Sequence, residues 1–154
     1  MAKEIERKFL VKGEKWKAAA PGTVYRQGYL SSVKERVVRV RTIESKGFLT
    51  IKGITKGLSR SEFEYGISVE DANTMLDEIC EKPLIEKKRY KITVGVLVFE
   101  VDEFFGENEG LVVAEVELAD EKQNIDFPDW ISAEVSGDPR YFNSNLIRHP
   151  YKKW

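Results

Sequence analysis

The chain has 154 residues, of which 42% are hydrophobic and 33% charged, and its formal net charge at pH 7 is −1. This length suits one domain with a buried core, and the composition is typical of a soluble globular protein rather than a disordered one. The balanced charge gives no general attraction to nucleic acid or to a membrane surface. The chain start lacks an apolar stretch long enough for a signal peptide, and no later segment could span a bilayer, so we expect a cytoplasmic protein.

Few residues in the sequence are suited to a soft metal. The single cysteine, Cys80, cannot form an intramolecular disulfide and is predicted to be a buried apolar thiol. The only histidine, His149, precedes a proline, and we expect it at the surface near a helix end. Zinc sites and catalytic triads built on histidine are therefore disfavoured. Any metal ion would be held mainly by oxygen, which indicates Mg²⁺ or Mn²⁺.

Most of the chain is predicted to form short β-strands separated by turn-forming segments. The runs rich in Val, Ile, Phe, Tyr and Thr cover residues 3–11, 24–32, 36–43, 47–54, 60–67, 86–94, 96–104 and 111–118. Many strands with few helices indicate an antiparallel sheet that is strongly curved or closed into a barrel. The predicted fold class is α+β, mainly antiparallel β.

Two helices are predicted, and a third is weaker. Ser68 and Asp71 have the spacing of a capping box, and apolar residues then recur at helical intervals over residues 72–80. A second helix is predicted to start at Asp138 and to continue to about residue 148, because a proline follows at the first helical position. The weaker helical segment would begin near residue 119 or 120.

Charged residues recur at every second position along several strands, and residues two apart share a face of a strand. The sets that share a face are Glu4, Glu6 and Lys8; Arg39 and Arg41; Arg60, Glu62 and Glu64; Glu100 and Asp102; and Glu115 and Glu117. In residues 86–89 both faces are charged, so alternation alone does not choose between Lys87 with Arg89 and Glu86 with Lys88.

Two interpretations of this alternation are open. A sheet with one solvated face also alternates polar and apolar residues, and this is the ordinary explanation of any single pair. However, most of these pairs carry charges of one sign, which repel one another on a shared face. A divalent cation would neutralise the carboxylates, and a polyanion would neutralise the arginines and lysines. A metal-bound polyphosphate satisfies both requirements.

The N-terminal strand contains the motif Glu4-Ile5-Glu6-Arg7-Lys8, with the spacing Glu-x-Glu-x-Lys. The motifs that follow in chain order are Arg26-Gln27-Gly28-Tyr29-Leu30, Val38-Arg39-Val40-Arg41, Thr50-Ile51-Lys52, Arg60-Ser61-Glu62-Phe63-Glu64, Glu86-Lys87-Lys88-Arg89-Tyr90, Glu100-Val101-Asp102, Ala114-Glu115-Val116-Glu117 and residues 138–143. In this order they resemble the CYTH domain, or triphosphate tunnel metalloenzyme, superfamily. The resemblance extends over essentially the whole chain and implies a single domain over residues 1–154.

The resemblance implies an eight-stranded antiparallel tunnel whose interior binds triphosphate with Mg²⁺ or Mn²⁺. The metal-binding residues it implies are Glu4, Glu6, Glu62, Glu64, Asp102, Glu115 and Glu117. The phosphate-binding residues it implies are Lys8, Arg39, Arg41, Lys52, Lys87, Arg89 and Arg140. It thereby selects Lys87 and Arg89 in the ambiguous strand. Lys8 and Tyr29 are the expected catalytic residues, with Lys8 as a base, a water-positioning group or only a phosphate ligand, and with Tyr29 alternatively an aromatic of the tunnel wall.

The leading functional hypothesis is a divalent-metal-dependent hydrolase that converts inorganic triphosphate to pyrophosphate and phosphate. The alternatives are an adenylyl cyclase, an organic triphosphatase acting on thiamine or nucleoside triphosphate, and a polyphosphate-binding module without turnover. The expected partner is a small-molecule triphosphate, with no nucleic acid and no membrane. We expect the protein to be a monomer or a homodimer.

Overall fold

Strands dominate the computed structural model, which describes residues 3–154. The strands are β1 (Lys3–Val11), β2 (Gly22–Val33), β3 (Arg36–Ile43), β4 (Lys46–Lys52), β5 (Ser59–Ile67), β6 (Ile85–Val94), β7 (Leu97–Phe104), β8 (Val112–Glu117) and β9 (Ile131–Glu134). The helices are α1 (Val69–Glu78) and α2 (Asn143–Leu146). Within residues 3–154, neither of them has the length and apolar character needed to cross a membrane.

The first eight strands form a closed antiparallel ring. Their hydrogen-bonding order is β5-β4-β3-β2-β6-β7-β8-β1, and β1 closes the ring by pairing with β5. This closing contact is short, extending from the pair Lys3–Ser61 to the pair Ile5–Ser59. The second half of β1 pairs instead with β9, beyond the end of the contact with β5. The predicted eight-stranded tunnel of the α+β class is therefore confirmed.

The eight ring strands begin and end within about two residues of the predicted runs, but β9 was not predicted. Its four residues follow a proline and are too short to show a clear alternation. The Ser68 cap is confirmed, since its hydroxyl oxygen accepts a hydrogen bond from the Asp71 amide at 3.1 Å. Cys80 is buried, as predicted.

Two helix predictions were wrong. The predicted continuous helix after Asp138 is divided into a 3-10 turn (Pro139–Tyr141) and α2, because Phe142 adopts an extended conformation with φ −70° and ψ 129°. The weaker helix near residue 119 is absent from the described chain. There the Gln123 side chain accepts from the Ala119 amide at 2.7 Å and the Asp120 side chain from the Lys122 amide at 2.8 Å. These side-chain bonds replace the backbone bonds of a helix.

The apolar core lies on the outside of the ring, where additional segments cover the strands. Trp130 packs edge-on against Phe99 of β7, with 5.7 Å between ring centroids. On the other side of the ring, α1 packs across β3 and β4 through Ala72 and Leu76. Gly47 allows this approach, since a Cβ there would lie 2.9 Å from the Cβ of Ala72. With the apolar side chains directed outward, the strands direct their alternate polar residues into the ring.

Candidate active site

The ring encloses a cavity of about 230 Å³ with mostly charged walls, to which all eight ring strands contribute. The charged residues that line it are Glu4, Glu6, Lys8, Arg39, Arg41, Lys52, Arg60, Glu62, Glu64, Lys87, Arg89, Glu100, Glu115 and Glu117. The other lining residues are Tyr29, Val37, Phe142, Asn143 and Ser144. The alternating charges therefore share one internal surface, and they are not the solvated outer face of a sheet.

Lys87 and Arg89 are anchored by a carboxylate behind the cavity wall. Arg89 donates from Nε and Nη2 to the two oxygens of Asp102 at 2.7 and 2.8 Å, and Lys87 Nζ lies 2.7 Å from Asp102 Oδ2. The side chains of Lys87 and Asp102 are each only 2% exposed. Burial lowers the pKa of Lys87 to about 8, although the charge of Asp102 opposes this shift. Both oxygens of Asp102 are thus engaged by cations, and Asp102 does not line the cavity.

Glu4 and Glu62 form a carboxyl pair beside Lys52. Lys52 Nζ donates to Glu4 Oε2 at 3.1 Å and lies 3.5 Å from Glu62 Oε2. Burial acts to raise the pKa of Glu4, but the hydrogen bond with Glu62 and the charge of Lys52 outweigh it and lower that pKa to about 2. The same hydrogen bond, together with burial, raises the pKa of Glu62 to about 7. The two carboxyl groups therefore titrate as a pair that shares one proton, because neighbouring carboxyl groups do not ionise independently.

Glu6 and Glu115 form a second carboxyl pair, next to Lys8. Lys8 Nζ lies 3.7 Å from Glu115 Oε1. Burial and the charge of Glu115 raise the pKa of Glu6 to about 8. Burial opposes ionisation of Glu115 too, but the charges of Lys8 and Arg89 hold its pKa well below the usual range. Burial and neighbouring carboxylates raise the pKa of Glu117, which lies opposite Glu6 across β1 and β8.

Arg39 and Arg41 share a single carboxylate. Arg41 Nη2 donates to Glu64 Oε1 at 3.2 Å, and Arg39 Nη2 lies 3.6 Å from the same oxygen. Burial and the charge of Arg39 lower the pKa of Arg41 to about 10. The Nε atoms of both arginines are buried and have no hydrogen-bond partner among residues 3–154. Two cations with unmet donors and one shared carboxylate suit an anionic ligand.

The segment that precedes and begins α2 closes one part of the cavity and contacts two of its buried lysines, Lys8 and Lys87. Lys8 Nζ donates to the Tyr141 carbonyl at 3.4 Å and lies 5.2 Å from the centre of the Phe142 ring. Lys87 Nζ donates to Asn143 Oδ1 at 2.9 Å. The extended conformation of Phe142 that interrupts the predicted helix thus brings these groups to the cavity.

Two of the residues expected in the site lie elsewhere. Asp102 lies behind the wall, as described above, and Arg140 lies outside the tunnel with its side chain 61% exposed and paired with Asp138. Lys8 and Tyr29 both line the cavity, although no hydrogen bond joins them in the described chain. All the other residues expected to bind metal or phosphate line the cavity.

Six residues that line the cavity were not among the predicted site residues; Arg60 and Glu100 are charged, Asn143 has an amide side chain, and the others are Val37, Phe142 and Ser144. Arg60 and Glu100 were detectable, because each shares a strand face with residues that were assigned. Asn143 was included only within the motif at residues 138–143, and no alternation distinguished it.

The acidic residues of the cavity have the chemistry to hold a divalent cation. Glu62 Oε2 is buried without a hydrogen-bond partner among residues 3–154, and burial together with the charge of Glu115 raises the pKa of Glu6 to about 8. In the described part of the chain, no three carboxylates are already arranged as a metal cluster. This is compatible with Mg²⁺, which is usually held by one or two carboxylates together with water and phosphate oxygens.

Known proteins are similar to this chain in sequence and in fold. A model of the CYTH domain family matches residues 2–151. An inorganic triphosphatase of Acetivibrio thermocellus is 55% identical over 100% of this chain and 99% of that protein, and an inorganic triphosphatase of Nitrosomonas europaea is 40% identical over 93% and 95%. A crystal structure of an inorganic triphosphatase has a TM-score of 0.64 and 33% identity, covering 93% of this chain and 96% of that one. The chain therefore belongs to the CYTH domain family.

Proposed function

We propose that this protein is a divalent-metal-dependent hydrolase that converts inorganic triphosphate to pyrophosphate and phosphate. The observation that carries the proposal is the cavity of about 230 Å³ inside the ring, whose wall carries carboxyl pairs together with arginines and lysines. Two relatives, 55% and 40% identical, are inorganic triphosphatases, which supports this choice of substrate over an organic triphosphate.

The cationic residues of the cavity bind the phosphate groups in this proposal. Arg39 and Arg41 present buried guanidinium groups with unmet Nε donors, which match the tetrahedral oxygens of a phosphate. Lys87 and Arg89 keep fixed positions because Asp102 holds both of them. Asp102 is thus a positioning residue in this proposal and not a metal ligand. Lys52 lies between the two groups of charges and contacts Glu4.

The acidic residues bind the metal in this proposal. Glu4, Glu6, Glu62, Glu115 and Glu117 are the candidate ligands, and Glu64 interacts with the arginines instead. When bound, Mg²⁺ or Mn²⁺ neutralises charge on the triphosphate and lowers the pKa of a coordinated water. A cation on this side would favour the ionised forms of Glu6 and Glu62, because its positive charge opposes the burial and the neighbouring carboxyl groups that raise their pKa values.

In this proposal Lys8 and Tyr29 bind the substrate and position the water, and neither of them abstracts a proton. Lys8 is fixed by the Tyr141 carbonyl and lies beside Glu115, so its ammonium group directs hydrogens into the cavity. Burial raises the pKa of Tyr29, which therefore remains a neutral phenol and can donate a hydrogen bond to a phosphate oxygen. As the water oxygen bonds to the terminal phosphorus, the bond from that phosphorus to the bridging oxygen breaks and pyrophosphate leaves with its electron pair, while the proton lost by the water passes to a phosphate oxygen or to solvent.

The test of this function is phosphate release from tripolyphosphate, measured with Mg²⁺, with Mn²⁺ and with excess chelator. We expect turnover with at least one metal and none with the chelator. Parallel assays with ATP and thiamine triphosphate, with a separate measurement of cyclic AMP, compare the alternatives. Faster turnover of an organic triphosphate, or formation of cyclic AMP, would contradict the proposed substrate. Binding of tripolyphosphate without turnover would identify a binding module.

A further inference from the structure

Asn143 is a neutral residue of the cavity whose orientation is determined by its neighbours. Its Oδ1 accepts hydrogen bonds from Lys87 Nζ at 2.9 Å and from Gln27 Nε2 at 3.0 Å. An ammonium group has only donors, so the contact with Lys87 establishes which end of the amide is the oxygen. Nδ2 therefore faces away from Lys87. It forms no hydrogen bond with any of residues 3–154, although Asn143 lines the cavity.

The orientation of the Asn143 amide also determines the orientations of Gln27 and Tyr29. Because Asn143 Oδ1 is an acceptor, Gln27 must present its Nε2 to it, and Nε2 also lies 3.3 Å from the Tyr29 hydroxyl. The Tyr29 oxygen is thus the acceptor in that contact, and its own hydrogen is available to the cavity. Gln27 Oε1 is left buried and without a partner in the described chain, which is unfavourable for the free protein. These orientations therefore present hydrogen-bond donors to the cavity, while Gln27 Oε1 remains without a hydrogen bond among residues 3–154.

We infer that Asn143 is a substrate-binding residue, in which Nδ2 donates to a phosphate oxygen while Oδ1 holds Lys87 beside the same anion. This inference rests on the proposed function, because it requires triphosphate in the cavity. An amide donor contributes a hydrogen bond without adding positive charge beside Lys87, whose burial already disfavours its own charge. The amide donor favours an anion whose oxygens can accept its hydrogen bond, and this contact does not depend on the metal. The N-terminal end of α2, where Asn143 lies, thereby becomes part of the substrate site.

Calorimetric binding of tripolyphosphate in EDTA tests this inference without metal or turnover. Asn143→Ala removes the donor and is expected to weaken binding about tenfold, the usual effect of losing one hydrogen bond to a charged group. Asn143→Asp keeps the shape and an acceptor for Lys87 but replaces the donor with a negative charge, so it is expected to weaken binding further. Asn145→Ala is the matched control, because the Asn145 side chain bonds only the exposed Pro139 carbonyl at 2.9 Å. It is expected to bind as the wild type does.

Hydrolysis of tripolyphosphate separates substrate binding from a purely structural role. Asn143→Ala should raise KM more than it lowers kcat, whereas partial unfolding would lower the active fraction and leave KM unchanged. If Asn143→Ala fails to fold, Asn143→Asp decides the matter, because its carboxylate can pair with Lys87. Wild-type affinity in either folded variant would overturn the inference and leave the proposed function intact. A wild-type protein that neither binds nor hydrolyses tripolyphosphate would overturn both.

Discussion

The basic and acidic parts of the tunnel wall differ in how completely their charges are compensated. On the basic side, Lys87 and Arg89 are held by Asp102 with contacts of 2.7–2.8 Å, all deeply buried. On the acidic side, burial and the charge of Glu115 raise the pKa of Glu6, and the hydrogen bond with Glu4 together with burial raises the pKa of Glu62. The basic side is thus assembled in the free protein, whereas we propose that a cation completes the acidic side.

Breaking the basic side should have the largest effect on stability. Asp102→Asn leaves two buried cations without their carboxylate, and removing one partner of a buried ion pair costs about 3–5 kcal/mol. Urea denaturation measures the free energy of unfolding. Asp129→Asn is the control, since its pair with Lys15 has side-chain exposures of 69% and 71% and should contribute little to the free energy of unfolding. Equal losses in the two variants would contradict the assignment of Asp102 as the anchor.

Breaking the acidic side should affect turnover and not stability. Glu117→Gln removes a candidate metal ligand, and we expect tripolyphosphate hydrolysis to fall on the order of 100-fold at fixed metal concentration. The metal-free variant should unfold at the same urea concentration as the wild type or a higher one, because one of several repelling carboxylates is gone. Steady-state kinetics and denaturation curves measure the two effects. Turnover at the wild-type rate would rule out Glu117 as a ligand.

The stability of the metal-free protein should decrease between pH 5 and pH 8. Glu6 and Glu62 have raised pKa values of about 8 and about 7, so the folded state keeps protons that the unfolded state releases near pH 4.5. The unfolded state binds fewer protons in this window, and the free energy of unfolding therefore falls as pH rises. The lowered pKa of Lys87, about 8, acts only above this range.

Urea denaturation in EDTA at several pH values measures this decrease, and Glu6→Gln should reduce it. Adding Mg²⁺ at pH 8 should restore stability if the acidic side is a cation site. If the free energy of unfolding is constant or rises from pH 5 to pH 8, neighbouring cations already balance the charges of these carboxyl groups in the free protein.

The smallest effect is expected at Arg140, which the family resemblance assigned to the phosphate-binding residues. Its exposed guanidinium pairs with Asp138 outside the tunnel, so Arg140→Ala should change KM for tripolyphosphate by less than about twofold. Arg41→Ala, which removes a buried cation of the cavity, should raise KM at least about tenfold. A larger effect at Arg140 would mean that the segment around residue 140 moves towards the substrate.

The strands and their inward faces could be predicted from the sequence, because alternation of charge and apolar character has the period of a strand. In the strand where both faces are charged, alternation left two choices, and the position of Lys87 and Arg89 in the cavity wall shows that these two residues face inward. Alternation could not show which inward charges neutralise one another. Asp102 has the same pattern as Glu115, yet its neighbours on β6 engage both of its oxygens, and this depends on the register between strands.

The C-terminal segment could be predicted less well than the ring. Asp138 does cap a turn, accepting from the Arg140 amide at 3.0 Å, but the helix that should follow is interrupted at Phe142. The ring of Phe142 lies beside the ammonium group of Lys8, more than 130 positions earlier in the chain. A contact of this range competes with local helix propensity, and no local pattern in the sequence reports it. The role of Asn143 was not visible for the same reason.

The closing contact between β1 and β5 has a mechanical consequence. Among residues 3–154, three residue pairs join these strands, and the middle pair joins Glu4 to Arg60, beside the carboxyl pair of Glu4 and Glu62. A cation bound by Glu4 and Glu62 would therefore connect the two strands across this short contact. Opening of the contact, followed by hydrogen exchange at the amides of residues 3–5 and 59–61, should slow when metal binds. If Glu4 and Glu62 bind the ion, the contact that binds the metal also keeps the tunnel closed.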